Sequence, residues 1–122
     1  MKKLFLLLVL LASSNTAFAG HDEWTADDTK RQAVYLSLHT IDWGQTRNIA
    51  KNPELYREVN PVIGEHPSTG RVDGYFVATA LLHTGIAYVL PAEWRKGFQY
   101  VTIVIEAGVT NRNRNLGIKI DF

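Results

Sequence analysis

The chain has no cysteine among its 122 residues. That excludes disulfides, thiolate metal sites and a lipid-bearing cysteine after an export leader. Charge of one sign is also lacking. Thirteen Lys and Arg against twelve Asp and Glu leave a net charge of +1, which argues against nucleic acid as a partner and gives no steering toward acidic ones. Catalytic signatures are missing as well. There is no HExxH or Glu-x-x-His element, no G-x-S-x-G elbow, no phosphate loop and no dinucleotide fingerprint. No cofactor is implied, no catalytic residue is assigned, and a non-enzymatic role is the leading expectation. No long repeat or low-complexity segment is present.

What is present begins with a targeting pattern. Lys2 and Lys3 precede an apolar run at 4–12, a polar spacer at 13–16, and Ala17-Phe18-Ala19 before Gly20. This is the three-part secretory signal, with an apolar run too short to span a bilayer well. The expectation is a signal peptide at 1–19 and one exported domain at 20–122, long enough for a single modest core. The destination would be the inner membrane or periplasm of a bacterium.

The mature part reads as all-α: three main antiparallel helices at about 25–50, 69–90 and 92–111, then an extended tail at 116–122. Thr25 with Asp28 is a capping box, and Asp27 and Asp28 suit the positive end of a helix dipole. On the first helix Ala33, Leu36, Trp43 and Ala50 share one face and Leu38, Asp42, Gln45 and Ile49 another. Gly44 is costly at mid-helix. The segment 72–90 is apolar nearly all round, as in a buried helix or a near-complete membrane span. The run at 98–109 is rich in β-branched residues, but Gln99, Thr102, Glu106 and Val109 recur at helical spacing. Asn111 to Asn115 (Asn-Arg-Asn-Arg-Asn) would close that helix.

The connector at 52–68 is dense in caps. Asn52-Pro53-Glu54 and Asn60-Pro61 each start a turn, with a turn or two of helix expected at 55–59; Gly64 stops the second turn, and Ser68 or Thr69 caps the next helix. Glu58, Asn60 and His66 are read mainly as turn chemistry, and otherwise as the mouth of a site above the helices.

Each helix also carries a polar stripe at spacings of three and four: His39, Asp42 and Thr46 with Gln45 beside them; Tyr75, Thr79 and His83; Gln99, Thr102 and Glu106. Packing the stripes together would bring Asp42, His83 and Glu106 into one cluster. The plain reading is an internal network that satisfies buried charge. The sharper ones are a small-ligand or metal site, the metal held by His83, Asp42 and Glu106, or a metal-dependent hydrolase.

The pattern Asp42-x-x-Gln45-Thr46, then Glu58-x-Asn60-Pro61-x-x-Gly64-x-x-Pro67, then Val72-x-x-Tyr75 resembles an uncharacterised group of small bacterial helical proteins that are membrane-embedded. That resemblance implies a membrane setting and brings no activity with it. The leading functional expectation is therefore a small exported, membrane-associated helical protein with an interaction or structural role. Its partners would be the membrane or another envelope protein. The alternative is a periplasmic module binding a small ligand or metal through Asp42, His83 and Glu106, with Gln45, Glu58 and Asn60 as further candidates.

Overall fold

A computed structural model of the protein describes residues 22–122; the expected signal peptide and His21 lie outside the described residues. Among these residues there are three helices and no strand: α1 (Ala26–Lys51), α2 (Thr69–Val89) and α3 (Ala92–Asn115).

Local chemistry sets the ends. Thr25 accepts from the Asp28 amide while Asp28 accepts from the Thr25 amide, closing the capping box at the start of α1. Ser68 caps α2 through the Arg71 amide. At the end of α3, Gly117 adopts φ +79°, its amide bonds the Arg114 carbonyl, and the Ile118 amide bonds the Asn113 carbonyl. This is a Schellman stop with buried Ile118 as its apolar plug. It lies beyond the expected end near 111, because Asn113 is itself held inside by Gln45 and Asp42.

The connector holds single turns at 53–55 and 61–63, with Gly64 at φ +93°, and no helix at 55–59. Glu58 Oε1 accepts from the amides of Val59 and Asn60, and Asn60 Oδ1 from that of Val62. Those side-chain bonds replace the helical ones a turn there would have needed. Beneath it sits a small apolar core, Ile63, Val72 and Phe76, with Trp43, Ala50 and Tyr75 against it.

Elsewhere the interior is mostly polar, with Tyr35, Ile49, Ala87 and Ile118 as its other buried apolar residues. Along α1 the inward-facing series Asp28, Gln32, Tyr35, His39, Asp42, Thr46 and Ile49 alternates by four and three, with Gln45 buried beside it. Of the face Ala33, Leu36, Trp43 and Ala50, Ala33 lies exposed and Leu36 half-buried, while Trp43 and Ala50 pack against the apolar core. Side-chain contacts join the helices. Trp43 Nε1 donates to Asp73 at 2.7 Å and Gln32 to Thr84 at 3.0 Å, whereas Gln99 Nε2 donates to the Asp28 carbonyl and Gln45 to that of Thr110, both at 3.1 Å. The tail runs back along α1, where the Asp121 amide bonds the Gly44 carbonyl.

No described helix is long and apolar enough to cross a membrane. The apolar stretch at 72–90 falls short because Asp73, Thr79, His83 and Thr84 interrupt it.

Candidate functional site

The polar stripes meet in two places. Toward the start of α1, His83 stacks on Tyr35 with ring centres 3.5 Å apart and is flanked by Phe98. Its Nδ1 faces Gln32 Nε2 at 3.1 Å and its Nε2 faces Thr102 Oγ1 at 2.8 Å. An amide NH2 can only donate, so Nδ1 accepts and Nε2 carries the proton. Gln99, fully buried, donates to Gln32 and accepts from Arg31. Every group there has a partner, as in a closed register-setting network.

The second meeting place is open. A cavity of about 250 Å³ lies between α1, α3, the start of α2 and the connector. Asp42 and Thr46 of α1, Glu106 and Asn113 of α3, Glu58 and Asn60 of the connector, and Tyr75 all line it. Its walls are apolar, formed by Ile49, Ile63, Phe76, Ile105 and Val109. Arg57 and Arg112 line it too, both of them solvent-exposed residues.

The two helix carboxylates of the cavity have different partners. Asp42 Oδ1 is 3.4 Å from Thr46 Oγ1 and from Asn113 Nδ2. Glu106 Oε1 lies 3.4 Å from His39 Nδ1, which is the same distance from Tyr35 Oη. The other edge of that imidazole is fixed by the Phe76 carbonyl and Thr79. Glu106 Oε2 is buried and has no hydrogen-bond partner. A buried carboxylate oxygen without a donor is costly, and a bound donor or cation relieves the cost.

Four of the six residues proposed from sequence, Asp42, Glu58, Asn60 and Glu106, thus line one cavity. Gln45 does not: it clamps α1 to α3 through the Thr110 carbonyl and Asn113. His83 does not either. It sits level with Thr102, a helical turn before Glu106 on α3, so the Asp42–His83–Glu106 cluster does not form and His39 takes the place expected for His83. Tyr75 was legible only as part of a stripe; its hydroxyl accepts from Asn60 Nδ2 at 2.9 Å and so ties the connector to α2. Among the described residues no group of three His, Cys, Asp or Glu side chains is arranged to hold a metal ion.

Outside the cavity, Asp28 is the most heavily bonded carboxylate. Burial pushes its pKa up, but bonds from Thr25, Arg95 and Arg31 outweigh that and hold it at about 2. Asp73 is held below the usual carboxylate range by hydrogen bonds from Arg47 and Trp43.

Comparison with known protein families, with curated proteins and with solved structures finds no match.

Proposed function

We propose that the chain is a small-ligand binding module whose cavity takes a small organic cation, an alkylammonium or guanidinium group on a short apolar stem. The observation that carries this reading is Glu106 Oε2, a buried oxygen without a donor on a residue that lines the cavity. Asp42 and Glu58 line the same cavity, so its carboxylates outnumber Arg57 and Arg112, both of them exposed residues and Arg57 paired with Glu65. A cationic N–H donor would bond the unpartnered oxygen, and the apolar walls would cover the stem. Calorimetric titration of the full chain with n-butylamine, putrescine and guanidinium tests it. Saturable heats that Glu106→Gln abolishes are the expected result; flat titrations with all three remove the proposal.

A second reading, membrane association after export by the secretory leader, is supported by the outer surface. Large apolar side chains are exposed on every helix, including Val34, Val77, Leu81, Val101, Val104 and Ile105, while Gln99 and Arg95 are fully buried. The contact pairs support an up–down–up order of antiparallel neighbours. Carbonate extraction tests this reading, and complete release into the soluble fraction would end it.

A further inference from the structure

We infer that the three helices sit together in a lipid bilayer, with the end carrying Arg112, Arg114 and Lys119 on the cytoplasmic side. The inference rests on the membrane reading and adds the lipid-facing band and its orientation.

Three stretches, 32–46 of α1, 74–90 from α2 and 97–110 of α3, contain no Lys or Arg. Their acids and histidines are His39, Asp42, His83 and Glu106, and each bonds another helix or lines the internal cavity. The contacts Gln32–Thr84, Gln32–Gln99 and Gln45–Thr110 put the stretches at one level. At 1.5 Å per residue the band free of Lys and Arg is about 21 to 26 Å tall, against the roughly 30 Å of a bilayer's hydrocarbon core.

Two details favour lipid over a protein partner. Large apolar side chains are exposed on all three helices, more faces than one docked protein partner covers. The hydroxyls of Ser37, Thr40, Thr79, Thr84, Thr102 and Thr110 each donate to a carbonyl three or four residues back, so none of them requires water. Singly, each helix is too polar to cross; together they turn the polar groups inward, as intramembrane ionisable residues do.

Orientation follows from the bases. Read from sequence, Arg95 and Lys96 oppose any simple count, but Arg95 is fully buried and bonded to Asp28 and to the carbonyls of Ala87 and Leu90. Arg31 is likewise held by Asp28 and Gln99. That leaves Lys30 and Lys96 exposed at this end, against Lys51, Arg57, Arg71, Arg112, Arg114 and Lys119 at the other. The richer end belongs inside.

The absence of cysteine allows a direct test by single-cysteine labelling of the full chain in bacterial spheroplasts, using a membrane-impermeant maleimide. Glu93→Cys, Asn115→Cys and Val104→Cys all replace exposed residues, and melting curves matching the parent confirm their folding. The expected result is labelling of Glu93→Cys in intact spheroplasts, of Asn115→Cys only after lysis, and of Val104→Cys only in detergent. Labelling of Asn115→Cys with protection of Glu93→Cys overturns the orientation and leaves the membrane reading standing. Labelling of all three in intact spheroplasts overturns both.

Discussion

Arg95 Nη1 donates to Asp28 Oδ2 across 2.8 Å, and neither side chain reaches solvent. Arg95 also donates to the carbonyls of Ala87, Leu90, Glu23 and Asp22. One side chain thereby ties the segment before α1, the end of α2 and the start of α3 to the first turn of α1. Removing Asp28 leaves the guanidinium buried and short of its counter-charge. Asp28→Ala is expected to cost roughly 3–5 kcal/mol, read from denaturant unfolding in a mild detergent, while Asp28→Asn, which keeps an acceptor, is expected to cost less.

The same carboxylate sets an acid limit. Its pKa is about 2 when folded and about 3.9 when unfolded, so the folded state binds the proton less well. Its contribution is present above about pH 4 and disappears as pH falls toward 2, a loss of about 2 kcal/mol. Unfolding free energies measured from pH 6 to pH 2 should fall through that window, and the fall should shrink in Asp28→Asn.

Gly44 leaves room for the tail. A Cβ there would lie 2.5 Å from Ile120 Cγ2 and 2.8 Å from Phe122 Cε2. Gly44→Ala gains up to about 1 kcal/mol of helix propensity, yet it is expected to dislodge residues 118–122. Faster proteolytic trimming of the C-terminus is the readout, and trimming at the parent rate would contradict it.

Gly117 holds the Schellman stop at φ +79°, a region where a Cβ costs about 1 kcal/mol or more. Gly117→Ala should lower stability by about that amount, measured by denaturant unfolding. Gly70→Ala, with nothing within 4 Å of the added carbon, is the control expected to be neutral or slightly stabilising.

Much of the architecture was legible in the sequence, for reasons that lie in particular residues. Thr25 with Asp28, Ser68 before Thr69 and the stripe Gln99–Thr102–Glu106 marked the helices through capping and periodicity. The inward face of α1 was harder, because an amphipathic pattern is read by assuming that the apolar side is buried, whereas the buried series from Asp28 to Ile49 is mostly polar. The cavity was half legible. Asp42, Glu58, Asn60 and Glu106 stood out as chargeable or hydrogen-bonding groups needing a reason. The substitution of His39 for His83 was not legible, since it depends on how far α2 slides along α1, and both histidines sit on stripes at the same spacing. Gly44 looked like a helix defect until the tail was seen against it.

The binding proposal turns on one carboxylate, and NMR can observe it directly. The full chain, labelled with 13C at the glutamate carboxyl carbons and held in detergent, is titrated with n-butylamine. The account predicts a saturable shift of the Glu106 carboxyl resonance, with the exposed Glu65 signal unmoved. A Glu106 resonance that stays fixed while n-butylamine reaches saturating concentrations would contradict it.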